Sequence, residues 1–261
     1  MHISFSKYQG AGNDFILIKD MENNFPENDH VMIRELCDRR FGIGADGLIL
    51  LRDSPDKDFS MLYFNADGHE GTMCGNGGRC LVAFARDCGF VSKDKDIRFS
   101  AIDGGHGANI IKPGMVSLQM KDVHDVKKMG AGYCVDTGST HHVEYVDKIV
   151  DMDVYGRGRA IREHKMYAPA GCNVNFIKVE NNNTIAIRTY ERGVEEETFA
   201  CGTGSVAAAI VHHSLGHHFD HYVILALGGK LGVRFKNDGK KYYDVWLDGP
   251  ATFVYKGDWM R

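Results

Sequence analysis

The 261-residue sequence predicts an α+β protein of two homologous domains. Each is expected to be a curved, mostly antiparallel, barrel-like sheet around a central helix, the two related by a pseudo-two-fold. Three observations lead there. Short apolar, partly alternating runs recur from "DFILIKD" to "TFVYK", separated by Gly, Asn and Asp clusters, which marks many strands joined by turns. Only three stretches carry helical patterning. Two of those helices open on the same string, Cys-Gly-x-Gly, at Cys74 and at Cys201.

The elements follow in order. After "DFILIKD" comes the first helical stretch, "NDHVMIRELCDRRFG", with Asn28 or Asp29 as its cap and Gly42 as its stop. "GLILLR" and "FSMLYFN" then lead to a second helix, which begins just after Cys74 and ends at Gly89. "IRFSAI" and "MVSLQM" complete the first half. The second half reads "HHVEYVD", "NVNFIKVE" and "TIAIRTY", then a third helix from just after Cys201 to Gly216. "HYVILAL", "KLGVRFK", "YYDVWL" and "TFVYK" follow. "FNADGHEGTMCGNG" and "YERGVEEETFACGTG" give the same succession of strand, turn, acidic residues, cysteine and helix. Asn13 lies 61 residues before Cys74, and Ser139 lies 62 before Cys201. Two copies in one order read as an internal duplication and not as a solenoid.

Composition narrows the class of function. Hydrophobic residues make up 43% and charged residues 25%, with net charge −4 and the Lys and Arg residues scattered. That is no footprint for nucleic acid. No apolar run approaches the roughly 20 residues that span a bilayer. No basic segment followed by an apolar one opens the chain, so a cytoplasmic location is expected. The seven cysteines are an odd number in a chain long enough not to need disulfides, so reduced thiols are expected.

The repeated string carries the chemistry. A helix N-terminus exposes unpaired N–H groups and a partial positive charge. Glycines there let an anion approach the backbone, so Gly75-Asn76-Gly77 and Gly202-Thr203-Gly204 are candidate cradles for a carboxylate or phosphate. A cysteine in the same place has its thiolate favoured. Two such thiols, related by a repeat, suit inversion of a carbon beside a carboxylate. One base removes the α-proton from one face and an acid returns a proton to the other. Nothing in this scheme demands a cofactor or a metal. Cys37, Cys80, Cys88, Cys134 and Cys172 read as small buried hydrophobes. "GIGADG" matches a dinucleotide fingerprint in spacing but follows a helix and precedes a strand, the reverse of what that motif needs. "HHSLGHH" places His213 and His217 four apart, a weak zinc signal at a helix end. A Cys74–His141 hydrolase would leave the second cysteine string unexplained.

At these residues the chain resembles the diaminopimelate epimerase family, the PLP-independent two-cysteine enzymes of lysine and cell-wall precursor synthesis. The likeness covers "GAGNDF", "GIGADG", "FNADGHEGTMCGNGGRC", "NVNF", "TYERG", "ACGTGS" and "DGPATFVY". It implies epimerisation of LL-2,6-diaminopimelate to the meso form, with Cys74 and Cys201 as the proton-transfer residues. It implies that Gly75, Asn76, Gly202 and Thr203 hold the reacting carboxylate. Asn13, Asn65, Asn173 and Arg192 match substrate-binding positions for the distal carboxylate and amine. Glu191, grouped with the substrate-binding residues, and His141 match positions that flank the centre. The family also implies domains of 1–114 with 249–261 and of 115–248, a site in the cleft between them, and a homodimer. The expected partner is a small diamino dicarboxylate, with no nucleic acid and no membrane.

Three departures stand out. Ser139-Thr140-His141 replaces the family's usual Asn-Pro-His, Gly47 stands where glutamine is common, and the loop before Cys201 is one residue longer, with Glu195, Glu196 and Glu197 in a row. Such an acidic run reads as solvated surface. Proline racemases and hydroxyproline epimerases are the nearest alternatives, but they carry histidine after the first Cys-Gly, where this chain has Asn76. A relative that binds an amino acid without turning it over is the other alternative, and both retained cysteines argue against it.

Overall fold

The computed structural model describes residues 1–92 and 96–261. The chain divides into two compact units, Met1–Leu118 with Gly249–Arg261, and Gln119–Asp248. The first contains β1 (His2–Gly10), β2 (Asn13–Lys19), α1 (His30–Cys37), β3 (Gly47–Arg52), β4 (Phe59–Asn65), α2 (Gly75–Asp87), β5 (Ile97–Ala101), β6 (Gly104–Lys112) and β7 (Met115–Gln119). The second contains β8 (Val126–Met129), β9 (Gly132–Asp136), β10 (Thr140–Tyr145), α3 (Val154–Arg162), β11 (Asn173–Asn181) and β12 (Thr184–Glu191). It continues through β13 (Glu196–Thr198), α4 (Gly202–Ser214), β14 (Tyr222–Ala226), β15 (Gly229–Asn237) and β16 (Tyr242–Pro250). The final strand, β17 (Thr252–Met260), belongs to the first unit. A boundary at Leu118 keeps β7 with β6, its antiparallel partner.

The two units repeat one pairing pattern. In the first, β17–β1 and β1–β2 are antiparallel, β2–β3 parallel, β3–β4 antiparallel and β4–β5 parallel, and β5–β6–β7 are antiparallel. In the second, β8–β9–β10 are antiparallel, β10–β11 parallel, β11–β12 antiparallel and β12–β14 parallel, and β14–β15–β16 are antiparallel. The registers coincide as well: Phe15 faces Gly47 as His141 faces Asn173, a constant step of 126 residues (15 to 141, 47 to 173). Duplication is therefore written into the hydrogen bonds and not only into the motifs.

Parallel neighbours need a crossover, and each crossover holds a helix. Each unit thus has two α-helices among its described residues; the sequence shows both in the first half and only the later one in the second. In the first unit α1 covers one face, packing Met32, Ile33 and Leu36 against Ile16, Ile18, Leu48 and Leu50. The opposite face meets α2, where Phe15, Ile49 and Met61 reach Gly77. Strands covered on both faces lose the alternation of a half-exposed strand, hence the unbroken "FILI" and "LILL".

Helix ends follow local chemistry. Asp29 caps α1 by accepting from the Met32 N–H at 2.9 Å. The helix stops at Cys37, short of Gly42, because Asp38 turns to ψ 126° and its carboxylate takes the N–H groups of Arg40 and Phe41. Helix α3 escaped the sequence reading, since "VYGRGRAIR" holds two glycines and three arginines. Asp153 starts it by accepting from the Gly156 N–H at 2.8 Å. Gly158 then lets it lie against β12, for a Cβ at 158 would collide with the Cβ and ring of Tyr190. Gly158→Ala is therefore expected to destabilise the protein by about 1–3 kcal/mol through overpacking, despite alanine's helix propensity, as read by urea denaturation.

Candidate active site

Cys74 and Cys201 occupy the same structural position. Each is the N-cap of its helix in extended conformation, at φ −102°, ψ 121° and φ −113°, ψ 117°. Each offers its carbonyl to the first helical bond, from Gly78 N–H at 2.7 Å and Ser205 N–H at 2.9 Å. Neither thiol caps its own helix. Cys74 is half-buried and Cys201 is buried. The Cys201 sulfur lies 3.4 Å from Thr203 Oγ1, and Thr137 Oγ1 donates to the Thr203 carbonyl at 3.0 Å, holding that first turn in place.

In the first unit, strand alternation brings Asn13, Gly47, Tyr63 and Asn65 to one face. A directional hydrogen-bond chain crosses it. Arg79, fully buried in α2, donates to Asn76 Oδ1 at 2.7 Å. Asn76 Nδ2 donates to Asn13 Oδ1, and Asn13 Nδ2 donates to Asp46 Oδ2 at 3.0 Å. Arg39 holds Asp46 from the far side at 2.7 Å and also binds Asp14. Burial would raise the Asp14 carboxyl, but the bonds from Arg39 and Lys7 prevail and hold it at about 2. Gly47 has no room for a side chain: a Cβ there would stand 2.5 Å from the Tyr63 ring and 2.9 Å from its hydroxyl. Gly71 presses on the same ring. Asn65 is exposed at the end of β4, its backbone N–H bonded to the His69 carbonyl at 2.9 Å.

In the second unit, Asn173, Ser139 and Arg192 meet. Asn173 Nδ2 donates to Ser139 Oγ at 2.8 Å, its Oδ1 accepts from the Arg192 N–H at 2.9 Å, and Arg192 Nη2 reaches Ser139 Oγ at 3.3 Å. Ser139 is thus an acceptor for two of the expected substrate-binding residues. Glu191 Oε2 accepts from Thr198 Oγ1 at 2.9 Å. The acidic run is not simply solvated surface. Glu197 makes a bidentate pair with Arg188, both bonds 2.6 Å. Glu195, at φ 60°, binds Arg162, the Tyr190 hydroxyl and the Gly193 N–H. Glu195 thereby ties β12 to α3.

His141 is fully buried, with Nδ1 3.0 Å from Asn175 Nδ2. Burial, and then the Arg192 charge, push its pKa down to about 3. Burial pushes the Cys37, Cys80 and Cys172 thiols each up to about 12, and raises Cys88 and Cys134. His213 Nε2 lies 3.0 Å from His218 Nδ1, and His212 stacks on His217 at 4.2 Å. Among the described residues no three His, Cys, Asp or Glu side chains are grouped to hold a metal.

Comparison with known proteins places this arrangement. The family model for diaminopimelate epimerase matches residues 5–121 and 133–254. The chain belongs to the diaminopimelate epimerase family. It is 47% identical over 251 residues to the diaminopimelate epimerase of Flavobacterium psychrophilum, covering 96% of this chain and 97% of that one. To the enzyme of Chlorobaculum tepidum it is 44% identical over 255 residues, covering 95% and 98%. The fold is shared more widely. A Bacillus anthracis phenazine biosynthesis protein of the PhzF family superposes with TM-score 0.79 at 14% identity, covering both chains in full. A probable proline racemase from Agrobacterium radiobacter gives TM-score 0.71 at 14% identity, covering 98% and 92%.

Within a diaminopimelate epimerase family chain, the sequence reading left out Arg79, Asp46, Tyr63 and Asn175. Arg79 and Asp46 lie inside the quoted motifs "GNGGRC" and "GIGADG", so their position was visible but not their partners. Two outcomes are expected. Arg79→Met keeps the apolar stem but leaves the buried Asn76 carbonyl oxygen without this donor, a loss of about 1–3 kcal/mol, measurable by denaturation. Gly204→Ala would drive a Cβ into Asn175 Oδ1, whereas Gly77→Ala meets only the flexible end of Ile49 at 2.9 Å. Gly204→Ala should therefore lower the melting temperature more than Gly77→Ala.

Proposed function

We propose that this chain epimerises LL-2,6-diaminopimelate to the meso form, without PLP, using the Cys74 and Cys201 thiols as base and acid. The observation that supports it is their equivalence: two thiols in matching N-cap positions of matching helices in a duplicated fold, within a family whose curated members carry that name. In this reading one thiolate takes the α-proton while the opposite thiol delivers its own to the other face, so the carbon inverts and the two sulfurs exchange roles. Negative charge develops on the α-carboxylate as the C–H bond breaks. Two helix N-termini with Gly75-Asn76 and Gly202-Thr203 meet that charge with N–H donors and a favourable dipole.

The distal end of the substrate falls to Asn13, Asn65, Asn173, Glu191 and Arg192, with Ser139 supplying a hydroxyl where the family usually has an amide. Both thiols must reach one α-carbon in this scheme, so the proposed site draws on both halves of the chain, in the interdomain cleft that the family resemblance implies. A cytoplasmic homodimer supplying lysine and peptidoglycan precursors completes the reading.

The test is wash-in of deuterium at the α-carbon across the isomers of diaminopimelate, proline and hydroxyproline. Exchange is expected with LL- and meso-diaminopimelate alone. Exchange with proline compounds instead would move the assignment to the racemase relatives, and none with any substrate would leave an amino-acid binder. Cys74→Ala and Cys201→Ala should each lower epimerisation by a factor of about 100–10,000, the range for losing one general acid–base group. Full activity in either variant would falsify the two-thiol scheme.

A further inference from the structure

The second unit departs from the first at one place beside its helix start. The positions that hold Phe15, Ile49 and Tyr63 in the first unit hold His141, Asn175 and Thr189 in the second. An apolar cluster has become a buried polar one: His141 and Asn175 are fully buried and Thr189 nearly so. It abuts the first turn of α4, since a Cβ on Gly204 would meet both Asn175 Oδ1 and the Cβ of Cys201.

The hydrogen bonds in this cluster can be given directions. Asn175 Nδ2 lies 3.0 Å from the His142 carbonyl oxygen and 3.0 Å from His141 Nδ1. A carbonyl oxygen only accepts, so the amide nitrogen must face it. A flipped amide would set oxygen against oxygen. The same nitrogen therefore donates its other hydrogen to His141 Nδ1, which must be the unprotonated ring nitrogen. Thr189 Oγ1 completes the set by donating to Asn175 Oδ1 at 3.0 Å. The ring, kept neutral by burial and by the charge of Arg192, then carries its proton on Nε2. That atom is buried and has no hydrogen-bond partner among the described residues.

We propose that Asn175 is a positioning residue that locks His141 as its Nε2–H tautomer, making the ring a fixed neutral donor for an anionic acceptor, thiolate or substrate carboxylate, at the reacting centre. The role of that acceptor rests on the epimerase reading; the tautomer does not. A donor of this kind stabilises negative charge without becoming a competing acid, because the ring has no proton to gain at working pH. An orphaned buried donor costs stability unless something occupies it, and in the epimerase reading that occupant is an anion of the reaction.

The tautomer is measured first, without substrate, on full-length protein labelled with 15N-histidine, by long-range 1H–15N correlation from pH 5 to 9. His141 is assigned by the signal missing in His141→Gln. Nδ1 should be unprotonated and Nε2 protonated throughout. A ring protonated at Nδ1, or one that titrates in this window, overturns the proposal. Asn175→Asp replaces the donor by an acceptor, so the proton should move to Nδ1, and kcat should fall at least about tenfold with KM changed less than about twofold. Thr189→Val leaves both donor contacts of Asn175 in place and should keep the wild-type tautomer, which guards against misfolding of the Asp variant. An Asn175→Asp protein that keeps Nε2–H, or a Thr189→Val protein that loses it while folded, counts against the lock. If the wild-type enzyme exchanges no α-hydrogen, the epimerase reading fails and the tautomer still stands or falls on its own spectrum.

Discussion

A buried helix must do something with its first N–H groups, and both α2 and α4 begin with a residue whose side chain declines to help. Asp, Ser or Thr at an N-cap would accept one of those hydrogens and add about 1 kcal/mol of stability. Cys74 and Cys201 make no such bond. The helix starts are thus left with their dipole, their donors and a thiol in one place. The short residues around them follow from this, because an anion can reach the backbone only where side chains are absent.

Around that shared constraint the two halves have diverged in opposite ways. The first unit fixes its amides by a chain anchored at both ends, with Arg79, which can only donate, and Asp46, which can only accept. Neither Asn13 nor Asn76 can turn over without breaking it. The second unit has Ser139 and Thr203 at those positions, hydroxyls that can either donate or accept, and places its polar order deeper, in His141, Asn175 and Thr189. A substrate that inverts one carbon but keeps the rest of its stereochemistry needs two like groups at the reacting atom and unlike groups elsewhere. Divergence of this kind provides that difference.

Much of the architecture was legible because burial and turn chemistry are local. The runs that became β2 and β3 carry their apolar character in unbroken letters, and glycine marks the ends of α2 and α4, where Gly89 and Gly216 adopt positive φ. The cysteine strings were legible because they repeat. Helix α3 was not, because its start depends on one aspartate and its packing on a glycine that fits Tyr190. The acidic run was misread because Glu195 meets an arginine of α3, 33 residues back, and Glu197 meets Arg188 only once β13 folds back along β12. Tyr63 was missed for a related reason. Its meaning lies in the absence of side chains at Gly47 and Gly71, and an absence acquires meaning only once strands are placed side by side.

The return of β17 to β1 gives this fold an order of assembly. His2 pairs with Met260, Phe253 packs edge-on against Tyr8, and Tyr255 does the same against Phe5. The sheet of the first unit is therefore interrupted by the whole of the second. During synthesis β1 waits with one edge unpaired while some 130 residues of another unit are made, an interval in which exposed strand edges are prone to wrong partners. The second unit, whose strands are contiguous in the chain, has every pairing partner available first. The half of the protein that begins earlier is the half that finishes later.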